Sequence, residues 1–378
     1  MSKLLFTYGM VGGGIGSMIG ESHRTGCALD GRSGIAAGCF SRDAEKNAAA
    51  GKACGLNASR VYGGYREMAK AEAVRADGID FVIVVTPNVS HYEIAREFLL
   101  NGINVVSDKP LCITVAEALE LESLSREKNL LFGVTYTYTG HDVVKLAREL
   151  VRGGNLGRII HVEARYAQDW LAGAVDGSLD TSKIWRLDPQ YAGVSCTVAD
   201  IGTHVENMIS YITGLKIKRL SAVTERYGEL NLDLAANILV EYDSGAYGAY
   251  WCTQAAAGHS NDLSFTIIGT EGSIEWGQEN ADTLKVAYRG QPPQTIHCEI
   301  PEAYVKAAEV LNLPAGHNGV SSAFANIYAA YIDALQARKS GASAEGYDFP
   351  TVTDGVSGMK FLHAAIESAS RDAAWVTL

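Results

Sequence analysis

Asp200 and His204 stand four residues apart in VADIGTHVENMISYITG (198–214), a stretch that reads as helix. That spacing puts both side chains on one helical face. A histidine near neutral pKa can take a hydroxyl proton while hydride leaves the same carbon, and a neighbouring carboxylate can orient or charge-stabilise it. The plainer alternative is a capping aspartate beside a partly buried structural histidine. A hydride needs an acceptor, and a loop suited to one lies near the start of the chain. The run from Val11 to Gly20, VGGGIGSMIG, follows an apolar stretch and opens a helix. Gly12 suits the tight turn and Gly14 the close approach of a pyrophosphate, with Ile15 and Gly16 leading into a helix N-terminus that supplies N–H donors. The third glycine of the G-x-G-x-x-G pattern is replaced by Ser17, which is small, and Gly16 and Gly20 add room. A glycine-rich turn can be purely steric. With a strand before it, a helix after it and a second strand ending near Ser41, it reads as a dinucleotide-binding turn.

The end of the second strand carries the residues that tell NAD from NADP. Here they are Ser41-Arg42-Asp43. Arg42 suits a 2′-phosphate and Asp43 a ribose hydroxyl, so NAD or NADP stays open.

Thr86-Pro87-Asn88 with His91, and Ser107-Asp108-Lys109-Pro110-Leu111, follow two further apolar runs. Taken in order with Asp200-Ile201-Gly202-Thr203-His204, these motifs span nearly the whole chain and resemble the Gfo/Idh/MocA family, the sugar and polyol dehydrogenases that include glucose-fructose oxidoreductase and inositol dehydrogenase. One departure is Asp108 where the family has Glu before Lys-Pro. The resemblance implies NAD(P)-dependent hydride transfer at a secondary hydroxyl of a cyclic sugar, glycoside or inositol-type polyol. Lys109 then positions the hydroxyl, His204 is the acid/base group and Asp200 supports it. Strand ends in a doubly wound sheet face the cofactor crevice, so Thr86, Pro87, Asn88, His91, Asp108 and Lys109 are expected to line the nicotinamide. A solvated surface lysine is the commoner fate of a residue such as Lys109.

Gln168-Asp169-Trp170 and Trp185-Arg186 resemble substrate-pocket segments of one branch of the family. An aromatic face packs on sugar C–H groups and a guanidinium bonds paired hydroxyls, although such residues also fill subunit interfaces. Tyr138 and His317 are further pocket candidates. Cys196, near the Asp200 helix, is assigned to packing. Asp200 and His204 lack a third ligand at metal spacing, so no metal is expected. Two rival functions share these residues: a redox-neutral glycosidase or lyase that retains its NAD, and a sugar-sensing regulator without catalysis.

The elements that must position these groups follow from the hydrophobic pattern. Apolar runs at 4–11, 34–41, 80–87, 103–110 and 130–136 alternate with helical segments such as VAEALELESLSREKN (115–129). Such runs imply an α/β Rossmann domain with a parallel, doubly wound sheet over residues 1–137. After about residue 155, alternating strands and turns at Asp243-Ser244-Gly245 and Thr270-Glu271-Gly272 imply an α+β domain over 138–378 with a large, mostly antiparallel open sheet. Helices near 319–338 and 355–370 either pack on that sheet or return to the first domain. An open sheet face of this kind is commonly buried by a second copy, so a homodimer or homotetramer is expected.

A net charge of −11 with no basic run argues against nucleic acid as a partner. Seven scattered cysteines without a C-x-x-C pair fit reduced thiols in a cytoplasmic protein. The opening apolar run is too short and too glycine-rich for a signal peptide, and no stretch is long enough to span a membrane.

Overall fold

The computed structural model describes residues 5–299, 302, 305–307 and 319–378. By compactness the chain forms two units. One comprises Met1–Cys112, Ala116–Gly140 and Ile300–Val356; the other comprises Ile113–Val115, His141–Glu299 and Ser357–Leu378. A single cut after residue 137 therefore misassigns the later part of the chain, because the helix Gly319–Lys339 returns to the first unit. That return was one of the two options open from sequence.

The first unit is built on five parallel strands: β1 (Phe6–Gly12), β2 (Ser33–Cys39), β3 (Phe81–Val85), β4 (Asn104–Ser107) and β5 (Phe132–Val134). They pair in the order β2-β1-β3-β4-β5. Phe81, Val82, Ile83 and Val84 are all fully buried. Successive strand residues point to opposite faces, so this is possible only where helices cover both. The helix Gly319–Lys339 supplies part of that cover by lying on Met18–Asp30. The contact is so close at Gly26 that a Cβ there would stand 2.7 Å from Phe324 Cβ. Tyr8, Phe81, Phe324, Tyr328 and Tyr331 share one buried cluster, and each large side chain removed from water contributes about 1.5–3 kcal/mol. The chain leaves β1 toward β2 on one side and is joined by β3 on the other. That reversal makes the carboxyl ends of β1 and β3 the expected ligand crevice of this sheet.

The second unit is a nine-stranded sheet: β6 (Ile159–Ala167), β7 (Ile217–Glu225), β8 (Ala235–Tyr242), β9 (Tyr247–Thr253), β10 (Asp262–Gly269), β11 (Gly272–Gly277), β12 (Thr283–Tyr288), β13 (Gln294–His297) and β14 (Val376–Thr377). Their order is β13-β12-β11-β10-β6-β9-β8-β7-β14, antiparallel throughout except for the pair β6/β9. The two expected turns join β8 to β9 and β10 to β11. Alternation along β6 shows how the sheet is used: Val162, Ala164 and Tyr166 are buried, whereas Glu163 and Arg165 are exposed. The buried face meets the helix Thr203–Thr213, where the Tyr166 and His204 rings lie 6.1 Å apart, and Phe361 of the helix Val352–Ser370, 6.1 Å from the Tyr250 ring. All seven cysteines are free thiols. Among the described residues no helix is long and apolar enough to cross a membrane.

Candidate active site

In the first unit the glycine loop turns between β1 and the helix Met18–Asp30. Gly12 has φ +79°, and a Cβ there would fall 2.0 Å from the Val85 carbonyl oxygen, so only glycine fits. Gly20 does the packing expected of the third glycine in the pattern, since a Cβ on it would lie 2.5 Å from Gly13 Cα. Ser17 is the helix N-cap; its hydroxyl accepts from the Gly20 N–H at 3.1 Å. The loop is tied down from below. Gly13 N–H donates to the Val85 carbonyl at 3.1 Å, and Arg24 Nη1 donates to the Gly13 carbonyl at 2.6 Å.

Above these ties Ile15 is 70% exposed and Met18 76% exposed. An open, Cβ-free turn rimmed by bare apolar side chains at a helix N-terminus fits a dinucleotide, whose pyrophosphate needs close backbone approach and whose rings need apolar cover. At the end of β2, Ser41 Oγ accepts from the Asp43 N–H at 3.1 Å, and Asp43 caps the helix Ala44–Ala53 by accepting from Lys46 N–H at 3.0 Å. Arg42 is exposed.

The loops after β3 and β4 are joined by His91. Its ring is buried, with Nε2 2.7 Å from the Thr86 carbonyl oxygen and Nδ1 2.8 Å from that of Pro110. Both nitrogens are thus turned to the backbone. His91, expected among the contacts to the cofactor, ties the two loops together through both ring nitrogens. Thr86 Oγ1 accepts from Ser90 Oγ at 2.8 Å, and Asn88 is buried beside it in the turn after Pro87. Asp108 Oδ1 accepts from the Lys109 N–H at 2.9 Å and from Thr135 Oγ1 at 3.0 Å. The carboxylate therefore shapes the backbone that presents the half-buried Lys109. Tyr138 also belongs to this unit and is buried in the turn Thr137–Gly140.

In the second unit, Val198–Gly202 forms a π-turn ahead of the α-helix Thr203–Thr213, rather than the uninterrupted α-helix expected. Asp200 sits in the π-turn and His204 one turn later. Single π-turns inserted in α-helices are frequent at functional sites. Arg186 Nε lies 3.4 Å from Asp200 Oδ1, and its guanidinium is 4.5 Å from the Trp185 ring centre and 5.9 Å from that of Trp170. Four residues singled out in three separate segments of the sequence thus meet: Trp170, Trp185, Arg186 and Asp200. Asp169 is exposed next to them, its backbone carbonyl accepting from the Ala172 N–H at 2.8 Å. His317 lies outside the described residues. Among the described residues no group of three His, Cys, Asp or Glu is placed to hold a metal ion.

Two residues absent from the sequence reading organise this half. Gln254 Nε2 donates to Asp200 Oδ2 at 2.6 Å, while the Cys196 thiol donates to Gln254 Oε1 at 3.0 Å. Cys196, assigned to packing, is a hydrogen-bond donor as well. Asp233 accepts from Ser195 Oγ at 3.0 Å and from the backbone N–H groups of Cys196, Thr197 and Val198 at 3.0, 3.1 and 3.1 Å. It clamps the start of the Asp200 segment to the strand β8. Burial pushes its carboxyl pKa up, and the Ser195 and backbone donors pull it back. Neither partner has a local sequence signal, since Gln254 follows Asp200 by 54 positions and Asp233 follows Cys196 by 37.

Residues 6–136 match the model of the oxidoreductase family with an NAD-binding Rossmann fold, and residues 144–275 match the GFO/IDH/MocA C-terminal domain. The chain is 32% identical to the uncharacterized oxidoreductase YfiI of Bacillus subtilis, over 98% of this chain and 96% of that one. An inositol dehydrogenase homolog from Azotobacter vinelandii, solved with NADH and myo-inositol, superposes with a TM-score of 0.88 at 32% identity and covers 99% of this chain and 98% of its own. Levoglucosan dehydrogenase in complex with NADH and levoglucosan gives a TM-score of 0.80 at 25% identity, covering 98% of this chain and 99% of its own. Glycine turn, strand-end loops and π-turned Asp/His helix therefore stand on a two-part chain matched from end to end, and the protein belongs to the Gfo/Idh/MocA family of oxidoreductases, with an NAD-binding Rossmann domain.

Proposed function

We propose that the protein is a dehydrogenase that moves hydride between nicotinamide and a secondary hydroxyl of a cyclic sugar, glycoside or inositol-type polyol. The observation that carries this reading is the grouping of Trp170, Trp185 and Arg186 against Asp200, on the helical segment that bears His204. An aromatic face and a guanidinium beside an acid/base pair suit a ring that is apolar on its faces and hydroxylated at its rim. The myo-inositol and levoglucosan held by the two solved relatives are cyclic polyols of this kind.

When bound, the nicotinamide supplies the hydride acceptor. His204 takes the hydroxyl proton as hydride leaves, Asp200 orients and charge-stabilises the imidazole, and Lys109 positions the hydroxyl and polarises the carbonyl that develops. His91, Thr86 and Asp108 hold the backbone around Lys109. The open face of the large sheet, with a cavity of about 1050 Å³ lined by Arg165, Leu239, Trp251 and Lys285 among others, supports a second copy as its cover.

The test is a screen of monosaccharides, glycosides and inositols with NAD and NADP, following absorbance of the reduced cofactor. On a confirmed substrate, His204→Ala lowers kcat by about 10²–10⁴ with coenzyme affinity nearly intact. Lys109→Ala costs at least as much, and the double variant is little worse than either single one because both groups act on one hydroxyl. Turnover within about threefold of wild type for either single variant would sink the mechanism, the smallest acid/base contribution being about 10². Substrate consumption without any reduced cofactor in solution would favour redox-neutral chemistry.

A further inference from the structure

Gln254 is fully buried immediately after β9, and its backbone is fixed on both sides. Its N–H donates to the Leu234 carbonyl at 3.0 Å and its carbonyl accepts from the Leu171 N–H at 2.9 Å. The side-chain amide is engaged at both ends: Nε2 donates to Asp200 Oδ2 at 2.6 Å, and Oε1 accepts from the Cys196 thiol at 3.0 Å. Chemistry selects this orientation, because an ionised carboxylate can only accept, which leaves Oε1 for the thiol hydrogen. The second carboxylate oxygen, Oδ1, faces Arg186.

We infer that Gln254 is a positioning residue that holds the Asp200 carboxylate ionised and aimed, with Cys196 engaging the far end of its amide. This rests on the proposed role of Asp200 in proton transfer. A donor to the charged form favours ionisation, and its removal from a half-buried carboxylate raises the carboxyl pKa. In the proposed mechanism the ionised Asp200 supports His204 as the base. The acid limb of the kcat/KM profile should therefore move up when the donor is lost.

The experiment compares Gln254→Met, Gln254→Leu and Asp200→Asn in the full chain with its coenzyme. Methionine keeps the length and removes the donor, so the acid limb should rise by about one pH unit. Leucine also removes the donor, in a shorter branched apolar side chain, so the same rise of about one unit is expected. Thermal melting and coenzyme affinity report whether each variant is folded; leucine carries the test if methionine disrupts the fold. A folded variant whose acid limb stays in place overturns the inference, even with reduced kcat, because that result needs only a packing role. Asp200→Asn separates the two ideas. If it is crippled while the Gln254 profiles are unchanged, the Gln254 inference alone fails; if it turns over like wild type, the role given to Asp200 fails and takes the inference with it.

Discussion

Asp233→Ala removes the acceptor that gathers the start of the Asp200 segment, and the structure allows its cost to be itemised. Of the four donors on the carboxylate, Thr197 N–H retains the Asp233 backbone carbonyl at 3.3 Å, and Val198 N–H retains Ser195 Oγ at 3.0 Å. Cys196 N–H, buried and 3.0 Å from Asp233 Oδ1, loses that acceptor. A buried unsatisfied N–H costs about 1–3 kcal/mol, and loss of a helix-start cap costs about 1 kcal/mol more. Relief of the buried charge offsets part of this, which leaves a net loss of about 2–3 kcal/mol. Amide hydrogen exchange reads it locally: protection at Cys196, Thr197 and Val198 should fall by roughly 30- to 150-fold, at about 1.4 kcal/mol per factor of ten. Because Asp200 and His204 ride on this segment, a shift of about 1 Å should also lower kcat by on the order of 10². Protection within about threefold of wild type, or about 0.6 kcal/mol, would refute the view that Asp233 holds the segment in place.

Gly12→Ala places a Cβ 2.0 Å from the Val85 carbonyl oxygen at φ +79°; the loop must move, and coenzyme affinity measured by titration should fall at least tenfold, about 1.4 kcal/mol. Burial holds His23 and His141 neutral by lowering each pKa from 6.5 to about 4. A histidine with a depressed folded-state pKa contributes stability that is fully present above its unfolded value and lost as pH falls through the folded one, about 3 kcal/mol for each of the two. The urea midpoint should therefore drop between pH 6.5 and pH 4, and the drop should shrink in His23→Gln; an unchanged pH dependence in that variant would contradict the assignment. Arg42→Ala should lower the NADP-to-NAD preference ratio if Arg42 reads a 2′-phosphate, and an unaltered ratio removes it as the reader.

The sequence by itself determined what depends on neighbours in the chain. Continuous apolar runs fixed five buried parallel strands, because a strand covered on both faces cannot carry polar alternation. Alternation after residue 155 marked β6 to β11 as a sheet with one open face. Glycine spacing marked the turn after β1, and a separation of four residues was sufficient to put Asp200 and His204 on successive turns of one segment. Tertiary structure decided everything that joins positions remote in the chain. Gly319–Lys339 was legible as a helix, but its place against Met18–Asp30 follows from the Gly26–Phe324 contact, which no periodicity encodes. His91 was legible as part of a motif, but that its ring bridges two backbone carbonyls depends on loops brought together only by strand pairing. Gln254 and Asp233 carry no local pattern at all. Their value comes from the burial of polar groups that must each find a partner once water is excluded, and which partner they find is settled when the sheet and the helix close on one another.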